Sequence, residues 1–163
     1  MRNFTKIYLD MDGVIANFEK RFEDLFGIMP AQADSHGQFG HYFKQFIQGK
    51  NFGSLEMMPD APVLLDYLKT LTVPIEILSS TARPENNAAI QFQKTTWLEQ
   101  HGITYPTIFV PGKKLKAKFA DENSILIDDT DSNIDEWNEA GGTGILHRDA
   151  LTTISILDTL LRG

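Results

Sequence analysis

Five short apolar runs punctuate the chain and alternate with segments of helical period. The first is Lys6-Ile7-Tyr8-Leu9, followed by Asp10, Met11, Asp12 and Gly13. After Gly13, Val14, Ile15, Phe18, Phe22, Leu25 and Phe26 recur every three or four positions, which predicts a helix closing at Gly27. Pro74 to Leu78, Thr107 to Val110, Ser124 to Asp128 and Gly144 to His147 supply the remaining strand patterns. Helices are expected from Asp60 through Leu71, from Pro84 to about Gln100, from Asp131 or Ser132 through Trp137, and from Leu151 to Leu161. Strands alternating with helices predict an α/β fold, a Rossmann-like parallel sheet of about five strands with helices on both faces.

One stretch departs from this rhythm. From Ile28 to about Met58, Pro30, Gly37, Gly40, Gly49 and Gly53 interrupt the chain, while Phe39, Tyr42, Phe43, Phe46 and Phe52 enrich it in aromatics. Phe39, Tyr42 or Phe43, and Phe46 fit one short helix. The texture predicts a small helical cap over 17–58, inserted into an α/β core formed by 1–16 and 59–163. Its aromatic stripe reads first as the cap's own small core. Beside a strand-tip site it is also a surface on which a planar base can stack.

With 163 residues, 42% of them hydrophobic, a single core can bury most of the apolar surface. The absence of cysteine excludes disulfides, thiolate metal sites and a cysteine nucleophile. No signal-peptide pattern or membrane-spanning apolar run stands out, so a cytoplasmic protein without membrane contact is expected. A net charge of −7 opposes binding to polymeric nucleic acid but permits a small anion at a local cationic patch.

The chemistry concentrates at strand ends. Asp10 and Asp12, one residue apart in an extended segment, project to the same side and repel unless a cation, a shared proton or a positive neighbour offsets them. A calcium loop does not fit, because Val14 and Ile15 stand where an EF-hand needs an oxygen ligand and a glycine. Solvated turn acids are the plainer alternative. Ser79-Ser80-Thr81 place three hydroxyls before a helix start, suited to an anion, though Ser and Thr also cap helices without any ligand. Lys113, Lys114, Lys116 and Lys118 follow the third strand, and Asp128-Asp129 end the fourth. Carboxylates from two strand tips make an all-oxygen cage for Mg²⁺, with hydroxyls and a lysine for phosphate oxygens.

The Asp-x-Asp-Gly-Val turn, the hydroxyl-ended second strand, the downstream lysine and the Ile-Asp-Asp strand resemble the four motifs of the haloacid dehalogenase-like superfamily over nearly the whole chain. Within it, Asp10 to Val14 with Phe18, Lys50-Asn51-Phe52, Leu55-Glu56, Pro59, Trp97 to Gln100 and Leu126 to Asp129 are most similar to the 5'(3')-deoxyribonucleotidases. The resemblance implies a Mg²⁺-dependent phosphomonoesterase acting on (deoxy)nucleoside monophosphates. Asp10 would be the nucleophile and Asp12 the general acid and base, its backbone carbonyl also facing the metal. Ser79, assisted by Ser80, would bind phosphate, and Asp128 and Asp129 would join Asp10 and Asp12 around the metal. For the lysine, Lys113, Lys114 and Lys116 compete; Lys116 is favoured as the catalytic one, with Lys114 close behind at the phosphate. Phe18 and Phe52, with Tyr42 or Phe43, would sandwich the base, and Arg83 would reach a phosphate or a base edge. Another small phosphomonoester, such as a sugar phosphate, and a non-catalytic phosphate-binding module are the competing readings. A homodimer is allowed.

Overall fold

The computed structural model describes residues 3–162. Five strands, β1 (Lys6–Leu9), β2 (Ile75–Ser80), β3 (Thr107–Val110), β4 (Ser124–Asp128) and β5 (Thr143–Leu146), form one parallel sheet in the order β3-β2-β1-β4-β5. Successive strand residues face opposite ways, and the sequence uses both faces. Ile7, Leu9, Ile75, Ile77, Ile125 and Ile127 enter one core, while Tyr8, Leu78 and Leu126 enter a second with Val110, Ile134 and Trp137. A strand buried on both sides is a continuous apolar run, which is why these segments read so plainly.

The first core is closed by α4 (Ala61–Leu68), α5 (Asn87–Gln100) and α7 (Ala150–Arg162), through Leu64, Leu68, Ile90, Trp97 and Leu157. The second is closed by α6 (Asp131–Glu139) and by a 3-10 turn over Lys113–Phe119. Fully burying each such side chain is worth about 1.5–3 kcal/mol.

The cap holds three helices, α1 (Phe18–Phe26), α2 (Pro30–Ser35) and α3 (Phe39–Gln48), and a 3-10 turn at Asn51–Ser54. It thus holds one helix, α2, beyond the helix closing at Gly27 and the short helix read from the aromatic spacing. Helix α1 begins later than its apolar period suggests. Val14, Ile15 and Ala16 wrap around the Met11 carbonyl, and a two-strand stem follows, with Asn17 N–H donating to Glu56 O and Met58 N–H to Ile15 O, both at 2.8 Å. Pro84–Asn86 likewise form a 3-10 turn, and the α-helix expected from Pro84 starts at Asn87. The aromatics do build a core: Phe22 packs on Phe26, Phe39, Tyr42 and Phe46, and this cluster is continuous with the first sheet core.

Candidate active site

From β1 the chain crosses to β2 and β3 on one side, then returns to β4 and β5 on the other. The crossovers beyond β1 and β4 therefore diverge, and a crevice opens at their carboxyl ends. Register does the rest. Leu9 pairs with Ile127 and Asp10 N–H donates to Ile127 O at 3.0 Å, so Asp10 falls beside Asp128.

Asp10, Asp128 and Asp129 each offer a carboxylate oxygen within 4.8 Å of the others. Lys116 Nζ bridges Asp10 Oδ1 at 2.8 Å and Asp128 Oδ2 at 2.9 Å. Burial and the neighbouring Asp128 push the Asp10 carboxyl well above its usual range, while Lys116 pulls it back. Asp129 rises to about 6, through burial first and then Asp128 and Asp12. Burial opposes the Lys116 charge, but the two aspartates outweigh it and hold the ammonium protonated.

When all three are ionised, these carboxylates exceed the one facing ammonium by two negative charges. Every donor in the cluster is a carboxylate oxygen, and Asn133 adds a buried amide oxygen without a partner close by, its Nδ2 donating to Asp128 Oδ2 at 3.1 Å. This donor chemistry suits a hard divalent cation of the Mg²⁺ type. Gly13 makes the room: its φ is +81° and a Cβ there would overlap the Asp129 carboxylate.

Asp12 lies apart from that cluster. Its Oδ2 accepts from Lys94 Nζ at 3.0 Å and its Oδ1 is buried without a partner. Lys94, on α5, also donates to Ser79 Oγ at 2.8 Å and Ser80 O at 2.9 Å. The repulsion between Asp10 and Asp12 is thus offset by two lysines, one for each acid. Sequence reasoning missed Lys94, although a signal existed: Ile90, Gln93, Lys94, Trp97 and Leu98 share the buried stripe of α5. A lysine in such a stripe needs a buried partner. Asn133 was missed too, as a residue of the turn that opens α6 five positions after Asp128.

A cavity of about 810 Å³ opens over these groups. Asp10, Asp12, Ser80, Lys94, Lys116 and Asp129 line its floor, and Phe18, Phe39, Phe43, Phe52, Ile90 and Arg83 its wall. Ser79 lies fully buried beneath it, its hydroxyl on Lys94.

Two expected residues lie elsewhere. Lys114 is exposed and off the cavity, whereas Lys113 lines it. A 3-10 turn has three residues per turn, so Lys113 and Lys116 stack on one face and Lys114 turns away. Tyr42 packs on Phe26, ring centroids 4.7 Å apart, and is absent from the cavity wall, being a helical step of about 100° from Phe43. The sandwich fails as well. Phe18 and Phe52 stack on each other with centroids 5.6 Å and planes 6° apart, whereas two rings flanking a third stand roughly 7 Å apart. Thr81 serves the fold, donating to Asn87 Oδ1 at 2.8 Å.

The fold is the Rossmann-like one that haloacid dehalogenase-superfamily hydrolases also show. The chain superposes on such a hydrolase from Ehrlichia chaffeensis over 100% of both chains, with a TM-score of 0.57 and 14% identity. It also superposes on a hydrolase from Streptococcus pneumoniae TIGR4 (96% of this chain, 99% of that one, TM-score 0.59, 14% identity) and on the D,D-heptose 1,7-bisphosphate phosphatase from Burkholderia thailandensis (96% and 98%, TM-score 0.52, 12% identity). No protein-family model and no curated protein sequence matches the chain.

Proposed function

We propose that the protein is a Mg²⁺-dependent phosphomonoesterase whose substrates are nucleoside monophosphates, deoxy forms included. One observation carries the reading: a single cavity joins an acid and lysine floor to a wall dominated by phenylalanine. The floor suits a phosphate. The wall suits a flat, apolar body, because a sugar polyol buried there would lose its water hydrogen bonds without replacements. The heptose bisphosphate phosphatase keeps a sugar phosphate in play as the competing substrate class. The nucleobase lies against Phe43 and the face of the Phe18–Phe52 stack, with Arg83 at the rim.

In this scheme Asp10 attacks phosphorus and forms an aspartyl-phosphate as the ester oxygen leaves with a proton from Asp12. Asp12 then takes a proton from the water that hydrolyses the acyl phosphate. Lys116 works against the burial that favours the neutral Asp10 acid, and offers charge to the transferring group. Asp10, Asp128 and Asp129, with the backbone of the Asp12 turn, would hold Mg²⁺, which would supply positive charge to offset that of the phosphate.

Phosphate release across a panel of deoxy- and ribonucleoside monophosphates, sugar phosphates and p-nitrophenyl phosphate tests the proposal. Nucleotides should lead in kcat/KM by at least about tenfold, the worth of one aromatic stacking contact. Equal rates on all esters, or a preference for sugar phosphates, would remove the nucleotide assignment while leaving the phosphatase.

A further inference from the structure

Lys94 is a buried cation that this scheme leaves without a role. Its side chain is 4% exposed, and its ammonium donates to Asp12 Oδ2 at 3.0 Å, Ser79 Oγ at 2.8 Å and Ser80 O at 2.9 Å. An ammonium has three protons, so all three are spent on protein acceptors and none remains for a ligand. We propose that Lys94 is a positioning residue: it holds the carboxylate of Asp12, the acid of this scheme, against the buried Ser79 at the end of β2, and so fixes its direction toward the departing ester oxygen. The proposal rests on the phosphatase reading.

Three observations support it. Asp12 lines the cavity with its side chain 29% exposed, and Lys94 is the one side chain that anchors its carboxylate among the described contacts. Ser79 Oγ accepts from Lys94, which directs the serine's own proton away from the ammonium. Lastly, the ammonium sits 5.0 Å from the centroid of Phe52 in the cavity wall, and the adjacent Gln93 accepts from Phe52 N–H at 3.1 Å and donates to Ile47 O at 3.0 Å. One turn of α5 therefore grips both the acid and the aromatic wall, and holds them in fixed relation.

The test compares kcat/KM for wild type and Lys94→Met on two esters. An alkyl phosphate needs a proton on its leaving oxygen as the P–O bonding pair moves onto that oxygen and Asp10 bonds to phosphorus. With p-nitrophenyl phosphate the phenolate leaves unprotonated. If Lys94 orients the acid, the alkyl ester should lose roughly 10²–10³-fold and the p-nitrophenyl ester about tenfold or less. Losses of similar size on both would overturn the proposal, since a merely structural or phosphate-binding lysine cannot distinguish leaving groups. Lys94→Gln, which retains two N–H donors, serves if the Met variant does not fold, and should show the same asymmetry at smaller amplitude. A wild type inactive on both esters is a separate result that removes the phosphatase reading itself.

Discussion

Two aspartates with one residue between them have different partners. Asp10 is buried among like charges, its proton affinity raised, and Asp12 accepts from Lys94. Asp10→Asn should abolish turnover, by on the order of 10⁴-fold or more for loss of a nucleophile, while the melting temperature holds or rises because a strained buried charge disappears. A folded, active variant would overturn the nucleophile assignment. Gly13 is the companion case. Gly13→Ala places a Cβ where the Asp129 carboxylate stands and strains a φ of +81°. A loss of about 1–3 kcal/mol by denaturant unfolding is expected, together with weakened Mg²⁺ binding by calorimetry. Unchanged metal affinity would show that Asp129 is no ligand.

Among the elements, the cap carries two kinds of phenylalanine that the sequence does not distinguish. Phe22, on α1, is fully buried and contacts five other rings, whereas Phe43, on α3, is half-buried and faces the cavity. Phe22→Ala should cost about 3–5 kcal/mol in chemical denaturation. Phe43→Ala, at a half-buried ring with three ring contacts, should cost less stability than Phe22→Ala and raise KM for a nucleoside monophosphate about tenfold, with p-nitrophenyl phosphate little affected. If both substrates suffered equally, Phe43 would be packing and not recognition. The 3-10 turn over Lys113–Phe119 shows the same dependence on helix geometry. Its three-residue repeat selects Lys113 and Lys116 from the lysine run and turns Lys114 outward.

Over the molecule as a whole, the topological switch between β1 and β4 gathers three carboxylates against one lysine. Asp129 rises from 3.8 to about 6 and Asp10 rises as well, so the metal-free folded chain binds protons more tightly than the unfolded chain. The stability contributed by this site is therefore present at acid pH and declines as pH rises through about 6. A divalent cation replaces those protons. Saturating Mg²⁺ should raise the melting temperature by several degrees near pH 8 and by much less near pH 5, where protons compete. Equal shifts at both values, or none, would mean that the cluster does not hold the ion. Elsewhere, no helix among the described residues is long and apolar enough to cross a membrane.

The sequence by itself determined the strands, their helical partners and the acids at Asp10, Asp12, Asp128 and Asp129, because burial on two faces and a tight turn at a strand tip both leave local, periodic marks. Only the tertiary structure decided which lysine meets which acid. Lys94 lies 82 positions from Asp12, and Lys116 lies 106 from Asp10. Pairings at that distance are set by sheet order and helix rotation, and no local pattern records them. For the same reason Phe18 and Phe52, which both line the cavity, close on each other: ring-to-ring geometry depends on how α1 and the Asn51–Ser54 turn dock, and spacing along the chain carries no trace of it.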